Sequence, residues 1–284
     1  MNQPTSLGVV GAGTMGNGIA QVCAQAGLQV KMVDIADAAV QRGLSTVSKS
    51  LDRLVAKDKI SAAEKDAIVG RIAGGTDYAA LADCDLVIEA ATENVALKLK
   101  ILKQLDELLG EKVVIATNTS SISITQLAAV VRNPGRFIGM HFFNPVPVMG
   151  LVELIRGLQT DDATHTLSDA LVRHIGKTPV TARNSPGFVV NRILCPMINE
   201  AIFTLQEGLA SAEDIDAGMK LGCNHPIGPL ALADMIGLDT LLAIMQVFQD
   251  GFGDPKYRPA PLLREMVAAG RLGRKSGQGF YSYR

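Results

Sequence analysis

Along the first part of the chain, short continuous apolar runs alternate with longer stretches in which apolar residues recur every three or four positions. Leu7-Gly-Val-Val10 stops at glycines, residues 16–26 carry helical spacing, and Val30-Lys-Met-Val33 is again apolar and β-branched. That succession predicts a strand, a helix and a second strand. Further strands are predicted at 86–88, 113–116, 137–140, 151–155 and 179–182, with helices at 95–109 and 122–131. Strands that are apolar throughout are covered on both faces, so the expectation is a mostly parallel sheet between layers of helix.

Residues 38–57 and 62–72 are amphipathic and are separated by a break at 58–61. Together they exceed a simple crossover and predict a helical hairpin, about 38–72, inserted after the second strand. The alternation ends at Asn184-Ser-Pro-Gly187. Beyond it only helical signals remain, at 188–205, 212–221, 229–248 and 261–269. Ser211 with Asp214 three positions later reads as a helix start, and Gly208 and Gly270 as stops. The predicted organisation is an α/β domain, 1–184, carrying the hairpin, and a smaller all-α domain, 185–284.

Composition narrows the classes. A chain of 284 residues fits two domains, and 48% hydrophobic with 19% charged residues excludes a disordered or collagenous chain. The net charge of −1 argues against a general nucleic-acid or anionic-membrane binder. Cys23, Cys84, Cys195 and Cys223 lack any metal-ligand spacing and read as buried small hydrophobes in a reducing compartment, so no metal is expected. Only Met1–Ser6 precede the first strand, and the apolar stretch 230–248 is interrupted by Asp234 and Asp239. The expectation is a cytoplasmic protein without a leader or membrane segment.

Gly11-Ala-Gly-Thr-Met-Gly16 fits the GxGxxG pattern and sits between a predicted strand and helix. Gly11 allows the tight turn, Gly13 lets the backbone approach a pyrophosphate, and Gly16 allows close helix packing, while the helix N-terminus supplies N–H donors. Ala12, Thr14 and Met15 complete this loop. Asp34, 18 residues after Gly16 at the end of the second strand, can accept from an adenosine ribose and would repel a 2′-phosphate. The reading is a Rossmann-type domain that binds NAD rather than NADP.

Asn118-Thr-Ser-Ser121, His141-Phe-Phe-Asn-Pro145, Glu153, Ser185-Pro-Gly-Phe-Val-Val-Asn-Arg192 and Lys275-Ser-Gly-Gln-Gly-Phe-Tyr281 together resemble the 3-hydroxyacyl-CoA dehydrogenase family, from Leu7 to Tyr283. The resemblance implies His141 as the base that takes a hydroxyl proton, with Glu153 as its partner carboxylate. Histidine suits that role because its reference pKa is ~6.5. Glu153 alternates with Val152 and Leu154, a pattern that a solvent-facing strand position also gives. Ser120 and Asn191 match the remaining polar positions and would hold the reacting oxygen or the thioester carbonyl. Ser120 is also placed to cap the following helix.

The resemblance further implies Glu93, Lys98, Ser120, Asn144 and Lys275 on the cofactor, and Ser50 and Lys57 on coenzyme A. Ser50, Arg53 and Lys57 share one helix face by spacing and could hold phosphates, although a solvated face has the same pattern. Expected partners are an acyl-CoA such as 3-hydroxybutyryl-CoA or acetoacetyl-CoA and a second copy of the chain, with no nucleic acid or membrane. The alternatives are a dehydrogenase of a free 3-hydroxy acid and a non-catalytic relative of the crystallin kind.

Overall fold

The computed structural model describes residues 4–283. By contacts the chain divides between Ser185 and Pro186 into two compact units. The first contains β1 (Ser6–Val10), α1 (Thr14–Gln25), β2 (Gln29–Val33), α2 (Asp37–Val55), α3 (Ala62–Gly70), β3 (Ile72–Gly75), β4 (Leu86–Glu89), α4 (Val95–Leu108), β5 (Val114–Thr117), α5 (Ile124–Ala128), β6 (Phe137–Phe142), β7 (Leu151–Arg156), α6 (Asp162–His174) and β8 (Thr178–Arg183). The strands form one sheet in the order β3-β2-β1-β4-β5-β6-β7-β8. Every neighbouring pair is parallel except β6 with β7. Strand order reverses direction between β1 and β4, so a crevice opens at the carboxyl ends of those strands.

Alternation along each strand assigns the two faces. Leu7, Val9, Met32, Ile88, Ala116, Ile138, Met140 and Leu154 join Ile19 and Cys23 of α1, Leu51 of α2 and Leu171 of α6 in one buried cluster. The intervening positions, among them Glu89, Thr117, His141 and Glu153, point to the other face, and all four are buried. Glu89 is register partner of Thr117, and His141 of Glu153. Polar groups at the ends of four strands are thereby gathered on one side of the sheet.

Two elements lie outside the sequence pattern. β3 is a four-residue edge strand, Ile-Ala-Gly-Gly, with no apolar run to announce it. Its Gly74 is required, since a Cβ there would lie 2.5 Å from Val40 Cγ1 of α2. α6 is rich in threonine, aspartate and histidine and buries only a narrow stripe that includes Leu171 and Val172; Asp161 caps it by accepting from Thr164 N. The helix predicted at 122–131 is shorter, because Ser123 caps it at Ile124 and the chain turns toward Asp106 by Arg132.

The second unit holds α7 (Val190–Gln206), α8 (Ala212–Gly222), α9 (Pro229–Ile236), α10 (Leu238–Phe252) and α11 (Pro261–Ala268) around Ile198, Ile202, Leu230, Leu241, Met245 and Phe248. The single helix predicted at 229–248 is two helices, bent by 97° at Gly237, whose φ of 99° no ordinary side chain adopts easily. No helix among the described residues is by itself long and apolar enough to cross a membrane. Cys23, Cys84 and Cys195 are buried, and burial pushes the Cys23 and Cys195 thiols up to about 12, which leaves them unreactive. Cys223 is a correction: it follows α8 at the surface, because the chain leaves the core there.

Two buried carboxylates hold this unit together. Asp216 of α8 accepts from Leu230 N (2.8 Å) and Ala231 N (2.9 Å), capping α9, whose own N-cap residue Gly228 has no side chain to do so. Asp234 of α9 accepts from Phe280 N, Tyr281 N and the Tyr283 hydroxyl, each at 3.0 Å. A Cβ on Gly279 would lie 1.9 Å from Asp234 Oδ1, so the glycine-rich tail is shaped to wrap this carboxylate. Asp234→Ala strands three donors in or near the core and is expected to cost about 2–4 kcal/mol of stability. Chemical denaturation measures it, and a loss below about 0.5 kcal/mol would contradict the role given to the tail.

Candidate active site

The glycine loop after β1 is fixed by its surroundings. Gly11 has a φ of 102°, and a Cβ on it would lie 2.7 Å from Ala90 O and Ala91 Cα, the backbone leaving β4. A Cβ on Gly16 would lie 1.8 Å from Gly11 O, so Gly16 is needed by the loop's own carbonyl more than by the strand beneath. A Cβ on Gly13 would meet nothing within 4 Å. α1 begins at Thr14 and Met15 with no side-chain cap and no acid in its first turn. A positive helix end facing open space beside a residue with no side chain fits a pyrophosphate.

Asp34 stands just beyond β2 and accepts from Ala12 N at 2.8 Å. The Ala12 amide is therefore used inside the protein, and the carboxylate is held where its remaining lone pairs can accept from a ribose. Burial, with the negative charges of Asp34 and Glu89 nearby, pushes the Tyr78 phenol up and keeps it protonated.

Lys98 takes a different place from that expected of a cofactor contact. It is fully buried in α4, ion-paired with Glu89 at the end of β4 and donating to Thr117 Oγ1 of β5 at 3.2 Å. Thr117 donates in turn to Glu89 at 2.8 Å, and the second Glu89 oxygen accepts from Ala91 N at 2.9 Å. This closed network fixes the Ala90–Ala91 backbone on which Gly11 rests. A lysine at helical spacing reads as solvent-exposed in sequence, and Glu89 closes an apolar strand without any motif around it, so neither half of the pair is visible before folding.

Ser120 does not cap α5; Ser123 does. Ser120 instead donates from its backbone N (2.7 Å) and hydroxyl (3.0 Å) to Glu93 Oε1, so two predicted residues meet. Asn118, two positions earlier, accepts from Phe142 N at 2.9 Å, which fixes the loop after β5 beside the residue that follows His141. Asn118 belongs to a motif that the sequence shows, but its tie to β6 depends on register and cannot be read there.

His141 and Glu153 face each other across the antiparallel β6–β7 ladder, with Nδ1 and Oε2 2.7 Å apart. Glu153 is completely buried and His141 nearly so, which settles the alternatives for Glu153 against solvent. The carboxylate accepts from Nδ1–H and so places the basic lone pair on Nε2. The Phe143 ring, 4.5 Å away, flanks the imidazole.

A cavity of about 460 Å³ brings together Ser50 and Arg53 of α2, Lys57 just past its end, Thr14 and Asn17 of α1, and Asn144. Two cations, a hydroxyl and an amide converge there on the start of α1. α2 ends at Val55, earlier than predicted, and Lys57 still reaches the cavity. Asn191 lies in the first turn of α7 and Lys275 pairs with Asp239 at 2.5 Å, both in the second unit.

Removing one partner of the Glu89–Lys98 pair leaves a buried charge alone. Lys98→Met is expected to cost about 3–5 kcal/mol in chemical denaturation. A loss under about 1 kcal/mol would mean that the pair behaves as a surface salt bridge.

A protein-family model of the 3-hydroxyacyl-CoA dehydrogenase NAD binding domain matches residues 6–185, and the model of that family's C-terminal domain matches 187–283. The chain is 52% identical over 278 residues to 3-hydroxybutyryl-CoA dehydrogenase of Bradyrhizobium diazoefficiens, covering 98% of this chain and 95% of that one. It is 50% identical over 277 residues to the Clostridioides difficile protein of the same name, covering 98% and 99%. The solved structure of (S)-3-hydroxybutyryl-CoA dehydrogenase from Ralstonia eutropha superposes with a TM-score of 0.98 at 67% identity, over 99% of this chain and 100% of that one. With the nucleotide loop, the histidine–carboxylate pair and both domain matches in agreement, the chain belongs to the 3-hydroxyacyl-CoA dehydrogenase family.

Proposed function

We propose that this protein is an NAD-dependent (S)-3-hydroxyacyl-CoA dehydrogenase that interconverts 3-hydroxybutyryl-CoA and acetoacetyl-CoA. The observation that carries the reading is the buried His141–Glu153 pair on the same sheet as the glycine loop. Full-length similarity to proteins of that name supports the choice of substrate.

Oxidation of a secondary alcohol needs a base for the hydroxyl proton as hydride leaves the same carbon. Nε2 of His141 takes that proton, and the Glu153 charge stabilises the imidazolium that forms. Bound NAD supplies the hydride acceptor, and NADH the donor in the reverse direction. Ser120, its rotamer set by Glu93, holds the reacting oxygen, and Glu93 serves the cofactor's nicotinamide side. Lys98 serves the cofactor through the Ala90–Ala91 backbone rather than by contact. Positioning of this kind accounts for much of an enzyme's rate.

Ser50, Arg53 and Lys57 bind the phosphates of coenzyme A through charge-assisted hydrogen bonds, with Asn144 across the same cavity. Arginine and lysine there favour a substrate that carries phosphates, which sets the acyl-CoA reading above that of a free 3-hydroxy acid. The intact set of Ser120, His141, Glu153 and Asn191 favours catalysis over a purely structural role. The protein acts in the cytoplasm as a homodimer paired through its helical unit, where Ile193, Leu209 and Leu221 offer exposed apolar surface.

Steady-state assays with NADH test the reading. Turnover of acetoacetyl-CoA is expected to exceed that of free acetoacetate by at least ~100-fold in kcat/KM, and Arg53→Ala with Lys57→Ala together to raise the acetoacetyl-CoA KM on the order of tenfold. Equal turnover of acetoacetate would overturn the acyl-CoA assignment.

A further inference from the structure

Lys177 stands in the turn between α6 and β8, and the mechanism above does not use it. Its side chain is buried, and Nζ donates to two main-chain carbonyls, Val146 O at 2.7 Å and Met149 O at 2.6 Å. Both belong to the loop 143–150, which leaves β6 just after His141 and returns as β7 with Glu153. Inside the loop, Val148 N and Met149 N both donate to Pro145 O, at 2.9 and 3.0 Å. Residues 145–149 therefore form one closed turn, and the ammonium grips it at two points.

Two cavities border this turn. Asn144, Pro145, Pro147 and Val148 form a wall of the one that holds Ser50, Arg53 and Lys57. The second, of about 410 Å³, is bordered by Gln25, Pro147, Val148, Met149, His174 and Lys177. Over much of its length the loop is thus backed by space rather than by packed side chains. Val146 supplies one apolar anchor: it is buried, and its Cβ lies 2.8 Å from where a Cβ on Gly18 of α1 would fall. The other anchor is the Lys177 ammonium, the only charged side chain shown bonding to the loop backbone among the described residues. Without its hydrogen bonds, two carbonyls beside a cavity would hydrate and the wall could shift.

We infer that Lys177 is a positioning residue for acyl-CoA recognition: by clasping the carbonyls of Val146 and Met149 it sets the distance between the 143–150 wall and the cationic face of α2. The inference rests on the acyl-CoA reading of that cavity. It concerns binding more than the proton transfer, since His141 and Glu153 are held by the β6–β7 ladder itself.

The test compares Lys177→Met and Lys177→Arg with the parent protein, using acetoacetyl-CoA and NADH kinetics together with amide hydrogen exchange. Lys177→Met is expected to raise the acetoacetyl-CoA KM on the order of tenfold, with kcat and the NADH KM within about threefold. Amides of residues 146–150 should exchange faster while the β1 and β4 amides keep their protection. Lys177→Arg, which keeps a cation able to donate to both carbonyls, should restore most of the KM. A wild-type KM and unchanged exchange in Lys177→Met would overturn the inference, as would an equal loss across kcat, both KM values and exchange throughout the unit. Should Lys177→Met not fold, Lys177→Gln keeps a single donor group and is expected to show the same KM effect at smaller size; a parental KM in that variant overturns the proposal. Failure of the parent protein to turn over acetoacetyl-CoA would count against the functional reading instead, and the exchange data would still report whether Lys177 holds the loop.

Discussion

The site depends on one reversal of strand direction. Six parallel strands, β3, β2, β1, β4, β5 and β6, place their carboxyl ends at one edge of the sheet, and a seventh in the same direction would need a long crossover in place of the direct return from β6. β7 runs the other way, and its register sets Glu153 opposite His141. Cross-strand neighbours lie ~5 Å apart at Cβ, a span that an imidazole and a carboxylate close with one hydrogen bond. Burial of both groups in a two-sided sheet removes water that would otherwise screen their interaction. The same reversal requires a connection from Phe142 to Leu151, and that connection is the wall carrying Asn144. The His141–Glu153 pair and the wall that carries Asn144 are consequences of a single topological choice.

A second constraint operates at the switch point. The backbone of Ala90 and Ala91 lies so close to Gly11 that only a residue without a Cβ fits the turn, and that backbone is held by Glu89, whose charge is compensated by Lys98 inside the fold. Buried ion pairs of this kind contribute little net stability, because desolvation offsets attraction. Their value here lies in geometry. Lys98 is tied to the Ala90–Ala91 backbone through Glu89, without reaching the surface, and Lys177 is tied directly to the carbonyls of the 143–150 loop. In both places a buried ammonium helps to fix main chain from inside the fold.

What was legible in the sequence follows the range of the interactions involved. Gly11, Gly13, Gly16 and Asp34 lie within one strand–helix–strand unit, so their spacing shows in the sequence. The helices of the second unit showed their periodicity, but the 97° break at Gly237 did not, since one glycine in an apolar helix looks like any other. β3 and α6 escaped because an edge strand of Ile-Ala-Gly-Gly and a mostly polar helix lack the burial pattern that period analysis detects. Pairings across the sheet were the least visible: the separation of 12 residues from His141 to Glu153 says nothing of register, and only resemblance connected them. Ser120 shows the complementary error, a residue well placed to cap a helix locally and claimed instead by Glu93 from another loop.

The central claim is that the cross-strand carboxylate makes His141 an effective base. Glu153→Gln preserves shape and removes the charge, so the most direct measurement is its kcat with acetoacetyl-CoA and NADH, alongside the NADH affinity and thermal stability of the same variant. The account predicts that kcat falls by ~10²-fold or more while NADH affinity stays within about twofold. A kcat within about twofold of the parent would show that Glu153 is a structural neighbour and that the antiparallel register has no part in the chemistry.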